Sequence, residues 1–308
     1  MHTNLPPPNT PLLIVLAGPT AVGKTGVALQ LAQEFGTEII SSDSRQFYRE
    51  MKIGTAIPSP EELSVVTHHF IGHLSIHDRY DVSRFETEAL ARLEQLFLEH
   101  KLVIMTGGSG LYINAVCKGF DELPDRDRGL RKKLQALFDN EGIAALQDKL
   151  KKLDPLYFEK VDKNNPNRLL RAIEVCEATG KPYSQLRKGQ VKERPFRILK
   201  IALNRDREEL FERIAARTNQ MMAEGLLDEV KSLLPYRHEN ALNTVGYKEL
   251  FEHLDGNISL EEAITNIKTN TRRYAKRQLT WFKKDHEYHW FHPERIAEIA
   301  TLIATENS

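Results

Sequence analysis

Gly18-Pro19-Thr20-Ala21-Val22-Gly23-Lys24-Thr25 is the stretch on which the fold turns. An apolar run at 12–17 precedes it, and a run with helical spacing at 26–35 follows. Strand, glycine-bounded loop and helix in that order, with the spacing G-x-x-x-x-G-K-[ST], predict a phosphate-cradling loop. Gly18 and Gly23 accept backbone angles and close approaches that a side chain blocks. The N–H groups of such a loop converge as an anion nest, and the helix start adds partial positive charge. Lys24 offers a point charge to phosphate oxygens, and Thr25 offers a hydroxyl to Mg²⁺. A chance match in a surface loop is the competing reading, and the flanking strand and helix argue against it. The loop asks for phosphate or diphosphate without saying which molecule carries it.

Short apolar runs with strand character recur at 38–41, 102–106, 198–203 and 288–291, mostly separated by helical patterns. That alternation predicts an α/β fold with a P-loop NTPase-like parallel sheet covered on both faces. Ser83 and Glu86 are spaced as a capping box, with Phe85, Ala89, Leu93 and Leu96 following at helical intervals. From Pro124 to Pro195 the strand signal disappears. Apolar residues there recur at helix spacing, Asn165-Pro166 reads as a helix start and Gly180-Lys181-Pro182 as a stop. These signals predict an inserted all-helical domain at 124–195, dividing the core into 11–123 and 196–292. A long crossover inside one domain is the simpler alternative. Residues 1–10, with Pro6-Pro7-Pro8, and residues 293–308 read as flexible or peripheral ends.

The 308 residues, 41% hydrophobic and 28% charged, have an ordinary globular composition. The formal net charge is zero, so binding of a polyanion must come from local basic patches. Cys117 and Cys176 have no metal-like spacing, which argues against a disulfide framework or zinc site and for a reducing compartment. No apolar run is long enough to span a membrane, and no basic segment leads into a signal-like run. The expected location is the cytoplasm, with no membrane partner.

The second strand runs into Ser41-Ser42-Asp43-Ser44-Arg45-Gln46. A carboxylate at the carboxyl end of a strand beside the loop strand faces the ligand crevice. Asp43 can there hold Mg²⁺, cap a helix or serve as a general base. The third strand ends in Thr106-Gly107-Gly108-Ser109-Gly110, where a nucleotide-driven motor would carry a metal-binding aspartate. Its glycines either admit a substrate close to the backbone or make a plain tight turn. A helix beginning after Asp206 and ending before Gly225 places Leu210, Ile214 and Met221 on one face. At about 100° per residue, Arg217 falls about 20° from Leu210, inside that apolar stripe, as an ion pair or a phosphate ligand.

Residues 268–284 hold seven basic residues and no acidic one, on a helix that Ser259 and Glu262 open as a second capping box. Arg272, Arg273, Lys276 and Arg277 crowd one side of it. Like charges one turn apart cost helix stability, which implies an anionic partner such as a phosphate backbone. Arg168 and Arg171, and the group Arg126, Arg128, Arg131, Lys132 and Lys133, add similar charge to the helical insertion. His68, His69, His73 and His77 lack a carboxylate or cysteine to complete a metal set, and read as capping and packing residues.

The segments GPTAVGKT, SSDSRQFY, KIGTAIP, HHF, GGSGLYI and NRLLRAIEV, then Arg217 leading to GLLDEV, VGYKEL and TRRYAKRQLTWF, occur in that order. As a set they resemble the tRNA dimethylallyltransferases, also called tRNA isopentenyltransferases, over nearly the whole chain past the tail. Departures are small: Ile71-Gly72 stands where the family runs to Ile-Asp, and Arg45 and Ser109 stand where Met and Thr are common. The zinc finger of the eukaryotic members is missing, which points to a bacterial form.

The resemblance implies transfer of a dimethylallyl group from dimethylallyl diphosphate to N6 of adenosine 37 of tRNA by a Mg²⁺-dependent monomer. It implies a diphosphate cradle at Gly18, Pro19, Thr20, Ala21, Val22, Gly23, Lys24 and Thr25, with Thr25 on the metal. It also implies Asp43 as the base and Arg217 on the departing diphosphate. Further, it implies tRNA contacts at Asp43, Ser44, Arg45 and Gln46, at Ser109 and Arg131, and at Asn167, Arg168, Leu169, Leu170 and Arg171, with the insertion gripping the anticodon stem-loop. The basic helix adds Arg272 and Lys276. Three alternatives stand beside it: a small-molecule kinase using the loop for ATP, an isopentenyltransferase acting on free adenine nucleotides, and a non-catalytic RNA-binding module.

Overall fold

The computed structural model describes residues 10–121, 123, 124 and 127–307. Strand β1 (Leu12–Ala17) is buried along its whole length, as a strand covered on both faces requires. It pairs in parallel with β4 (Leu102–Gly107) on one side and β5 (Arg197–Leu203) on the other. β2 (Ile39–Ser41) adds to β4, β3 (His68–His69) to β2, and β6 (His289–Phe291) to β5, all in parallel. The order β3-β2-β4-β1-β5-β6 puts β1 at the point where the chain changes its direction of travel across the sheet. Ligand crevices open at such switch points, outside the carboxyl ends of the strands. The parallel α/β core is as expected. The short β3 was not foreseen, because two histidines leave no apolar run to read.

Alternation along β1 sorts the core into two layers. Leu13, Val15 and Ala17 pack with Phe85 of α3 (Val82–Leu96), Ile113 of α4 (Gly110–Lys118) and Leu226 of α10 (Leu226–Leu233). Leu250 of α11 (Tyr247–Leu254) and Ile267 of α12 (Leu260–Phe282) complete that layer. Leu12, Ile14 and Leu16 pack with Leu31 of α1 (Lys24–Glu34), Ile214 of α9 (Arg207–Ala223) and Ile303 of α13 (Ile296–Asn307). Burying each such side chain contributes about 1.5–3 kcal/mol. The short α2 (Pro60–Val65) opens on a complete capping box between Ser59 and Glu62.

Local expectations need three corrections. Asp81, not Ser83, caps α3, its carboxylate accepting from Arg84 N at 3.0 Å. Glu86 is buried instead, and Arg194 Nη2 donates to it at 2.7 Å, since a buried carboxylate demands a cation. At Ser259 only half of the expected box is present among the described contacts: its hydroxyl accepts from Glu262 N at 3.1 Å. The stretch 293–308, expected as a peripheral end, carries α13, whose Ile299 and Ile303 are fully buried against the sheet. Pro6–Pro8 and Arg126 lie outside the described residues.

Residues 118–192 pack as a compact helical unit of their own. It holds α5 (Arg128–Leu153), kinked at Gly142 where φ is 75°, with α6 (Pro155–Lys160), α7 (Pro166–Thr179) and α8 (Tyr183–Leu186). Asn165 caps α7 and a left-handed Gly180 ends it, as the sequence predicts. Leu146, Leu150, Leu169, Leu170 and Ile173 form its core. The buried Asp154 accepts from Tyr157 N at 2.9 Å and from both Ser184 N and its hydroxyl, locking α6 to α8.

Candidate active site

The loop after β1 follows from its glycines. Gly18 has φ 153°, and a Cβ there would meet the Leu203 carbonyl oxygen at 2.8 Å. Gly23 starts α1 from φ 108°. Ala21 also takes a positive φ of 63°, an uncommon state for a residue with a side chain. The loop's outward carbonyls are held by cations. Lys24 Nζ donates to Gly18 O at 3.0 Å and Pro19 O at 2.8 Å, Arg213 Nε to Ala21 O at 2.8 Å, and Arg205 Nε to Val22 O at 2.9 Å. Thr20 N donates at 2.9 Å to Oε1 of Gln278, whose Nε2 donates to Gly108 O at 2.9 Å. The loop is thus ringed by positive charge, which favours an anion in its concavity.

Two cavities adjoin this loop. One, of about 540 Å³, is lined by Lys24, Thr25, Arg213, Gln46 and Glu62. The other, of about 600 Å³, is lined by Ser109, Lys248 and the α12 residues Tyr274, Arg277, Gln278 and Trp281. Thr20, Ala21, Asp43, Thr55 and Arg217 belong to both walls. Asp43 and Arg217 therefore stand where a cationic chamber meets an aromatic one.

The electrostatics at that junction are strong. Burial pushes the Lys24 ammonium down to about 8, with Asp43 opposing and Arg217 assisting. Burial also holds Arg217 below its ordinary value, Asp43 again opposing. Arg217 Nη1 lies 3.4 Å from Thr20 Oγ1, and among the described residues no carboxylate forms an ion pair with it. A half-buried guanidinium without a paired carboxylate is set up to receive an anion. Tyr274 is pushed up to about 12, by burial first and by the charge of Asp43 second. Asp43 Oδ1 accepts from Arg45 N at 3.0 Å, which fixes the turn while the carboxylate faces both chambers.

The other expected positions divide. Ser44 N donates to Ser109 Oγ at 3.1 Å, joining the turns after β2 and β4. Arg45 Nη1 donates to the Asn240 and Ala241 carbonyls, and Gln46 Nε2 to those of Thr55 and Ala56, so both side chains also hold loops. Arg272 stacks over Phe211 at 4.9 Å and Lys276 is exposed; neither lines the cavity, whereas Arg277 does. In the helical unit, Arg131 Nη2 donates to Asn167 Oδ1 at 3.2 Å, and Arg171 lies 3.3 Å from the buried Glu174. Arg168 is exposed, while Leu169 and Leu170 are wholly inside, so only the polar members of that run can offer side chains to an RNA.

His73 packs as expected, edge-on to Phe47, whereas His69 Nε2 lies 2.6 Å from Glu38 Oε2 and His77 Nδ1 3.0 Å from Glu239 Oε1, carboxylates supplied from other parts of the chain. Thr106 closes β4 with its hydroxyl on Leu16 O at 3.1 Å, and no carboxylate replaces it there. The glycines after it are filled by the protein itself. A Cβ at Gly107 would fall 2.2 Å from Ser42 Oγ, one at Gly108 would fall 2.1 Å from Gln278 Nε2, and one at Gly110 would fall 2.3 Å from the Trp281 ring. Arg205, Arg213 and Gln278 escaped the sequence reading. Only the one-turn spacing of Arg213 and Arg217 hinted at a role for the first.

Thr25 lines the cationic chamber, and its hydroxyl has no hydrogen-bond partner among the described residues. A single free hydroxyl suits Mg²⁺, which takes its remaining ligands from phosphate oxygens and water. A second group, Glu209, His292 and Glu294, brings ligand atoms within 4.8 Å of one another. Arg205 lies among them, paired with Glu209 and 3.6 Å from Glu294, so that group is an ion-pair cluster.

Comparison with known proteins agrees with this geometry. The IPP transferase family profile matches residues 46–285. A tRNA dimethylallyltransferase 1 of Bacteroides thetaiotaomicron is 52% identical over 297 residues, covering 96% of both chains. The full-length tRNA isopentenylpyrophosphate transferase of Bacillus halodurans superposes with a TM-score of 0.70 at 39% identity, again covering 96% of each. A eukaryotic dimethylallyltransferase acting on tRNA superposes with a TM-score of 0.73 at 31% identity, over 88% of this chain and 70% of that one.

Proposed function

This chain belongs to the IPP transferase family, and we propose that it transfers the dimethylallyl group of dimethylallyl diphosphate to N6 of adenosine 37 of tRNA. The observation that carries the reading is Asp43 at the meeting of a cationic chamber and an aromatic one. The first suits a diphosphate and the second an everted purine.

In this reaction N6 attacks C1 of the allyl group, the C1–O bond breaks and the diphosphate departs with the electron pair. The N6 lone pair is delocalised into the purine ring, so N6 is a poor nucleophile until a base removes its proton. Asp43 accepts that proton, a contribution of about 10²–10⁴-fold. Lys24, Arg217 and the loop N–H groups stabilise the charge that develops on the leaving oxygens. Arg213 and Arg205, bound to the loop carbonyls, hold the cradle in shape. When bound, Mg²⁺ held by the Thr25 hydroxyl adds positive charge at the diphosphate. Ser44, Arg45, Gln46, Ser109, Arg131 and the polar residues of 167–171 are proposed RNA contacts. The basic face of α12 supplies phosphate contacts that offset the cost of unstacking the base, a few kcal/mol. The enzyme is proposed to work as a cytoplasmic monomer. A small-molecule kinase is disfavoured, since Thr106-Gly107 stand where a kinase-like core would keep a metal-binding carboxylate.

The test is mass analysis of nucleosides from unmodified tRNA incubated with enzyme, Mg²⁺ and dimethylallyl diphosphate. Prenylated adenosine is expected from the wild type, with turnover lower by about 10²–10⁴-fold in Asp43→Asn while tRNA still binds. Brisk ATP turnover with untouched tRNA would overturn the reading, and unchanged turnover in the variant would remove Asp43 from the base role.

A further inference from the structure

We propose that Trp281 and Leu111 form a stacking lip for an unpaired nucleobase of the RNA substrate, next to the base that enters the cavity; this rests on the tRNA reading above. Trp281 lies in the last turn of α12 and is 39% exposed, and Leu111 is 42% exposed near the start of α4. Of the exposed large apolar side chains among the described residues, these two line the aromatic chamber.

The exposed indole is held in place. Its pyrrole edge covers Gly110, where a Cβ would come within 2.3 Å of both Cδ1 and Nε1. Gly110 is not among the glycines with positive φ, so its backbone does not demand glycine. Alanine is the better helix former, so the helix that begins there does not ask for glycine either. What the missing side chain supplies is room for the ring. A side chain that is fixed yet still wet presents a ready surface, because little rotamer entropy remains to be lost when a partner covers it.

The surrounding charge selects the partner. Arg277, one turn before Trp281, and Lys284, one turn after, are both exposed, and Lys248 faces the same chamber. The Arg277 guanidinium lies 5.7 Å from the Tyr274 ring centre. Among the described residues, Asp43 is the one carboxylate on that wall. An apolar plate flanked by cations matches a flat heteroaromatic base whose linkages carry negative charge on either side. Aromatic stacking of this kind tolerates any base, since each has a π face.

The experiment compares Trp281→Ala, Trp281→Phe and Gly110→Ala with the wild type, reading tRNA Kd, kcat at saturating tRNA, donor affinity and Tm. Trp281→Ala is expected to weaken tRNA binding roughly five- to 150-fold, with donor affinity and Tm little changed, and Phe should restore most of the loss. Gly110→Ala should imitate Trp281→Ala by displacing the ring, and the double variant should be no worse than Trp281→Ala alone. In a Trp290→Phe background, a single-stranded anticodon-loop oligonucleotide should quench the Trp281 fluorescence. Wild-type tRNA affinity in Trp281→Ala, additive losses in the double variant, or quenching by an acidic peptide but not by the oligonucleotide would each overturn the lip. If the wild type leaves tRNA unmodified, the proposed function fails, and the quenching titration still decides the lip.

Discussion

Two glycine-bearing turns sit side by side at the carboxyl ends of neighbouring strands, and they use glycine to different ends. After β1, Gly23 serves the backbone: its φ is positive and nothing lies closer than 3.7 Å to a Cβ built there, while Gly18, also at positive φ, admits the Leu203 carbonyl, which lies 2.8 Å from where its Cβ would be. The space beside that loop stays open for a ligand. After β4, Gly107, Gly108 and Gly110 serve their neighbours. Ser42, the Gln278 amide and the Trp281 ring occupy the volume their side chains would take. One turn is concave because its own chain bends, the other is solid because other parts of the chain fill it. Composition alone does not distinguish a ligand cradle from a packing joint.

Substitution at these turns should separate the two uses. The largest effect is expected from Gly107→Ala, whose Cβ would strike Ser42 Oγ at 2.2 Å and the Ser42 carbonyl carbon at 2.7 Å. Overpacking of this kind costs about 1–3 kcal/mol. Because Asp43 N lies 3.0 Å from the same point, the carboxylate proposed as the base shifts too, and misplacement by about 1 Å costs about 10²-fold in turnover. Urea denaturation and single-turnover prenylation should fall together; native stability with native turnover would refute the packing joint.

Gly23→Ala should cost the fold a similar amount but be selective in function. Its Cβ makes only ordinary contacts, at 3.7 Å and beyond, so its cost is the φ of 108°, about 1–3 kcal/mol. Any relaxation reshapes the anion nest. Affinity for dimethylallyl diphosphate should therefore drop while tRNA affinity stays within a few-fold. An equal loss of both would mean that the two chambers are not separable.

The smallest effect is a pH response of the cradle. Lys24 is lowered by burial from 10.5 to about 8, so above that pH the free enzyme loses its proton and donor binding must restore it. Calorimetric donor Kd should rise with pH above about 8, by at most tenfold per unit. Stability without ligand runs the other way. Between about 8 and 10.5 the unfolded chain holds a proton that the folded chain has released, so folding stability gained from Lys24 increases with pH across that window. A flat response in Lys24→Met against a sloped wild type would assign both effects to this residue.

The sequence carried the cradle and the layered core because both are local. The G-x-x-x-x-G-K-T spacing needs only its own strand and helix, and the buried run of β1 shows in consecutive residues. Caps were legible where a proline marks the first helical position, as at Asn165 before Pro166, and misread where Asp81 competed with Ser83 two residues on. Arg217 was visible as a misplaced charge on an apolar stripe. Its missing ion pair was not, because partners come from other elements. The grip of Arg205 and Arg213 on the loop was overlooked since the acceptors there are the backbone carbonyls of Val22 and Ala21, which leave no trace in residue type.

The motifs KIGTAIP, GLLDEV and VGYKEL mark the boundary most clearly. In the sequence they are separate strings. In the fold, the Glu229 carboxylate accepts from Lys52 N, Ile53 N and Gly54 N at 2.9, 2.8 and 3.0 Å, and from the Tyr247 hydroxyl at 2.6 Å. A Cβ at Gly54 would lie 2.5 Å from the Tyr247 ring, so that glycine answers to a residue far away in the chain. The sequence by itself determined a parallel α/β core, a glycine-bounded loop between strand and helix, and a basic helix, since spacing and periodicity act over a few residues. Only the tertiary structure decided which glycines are filled and which cations hold the loop, and that Asp43 stands between two chambers. Steric volume and hydrogen-bond partnership belong to pairs of residues brought together by folding, and no single stretch of chain encodes both members.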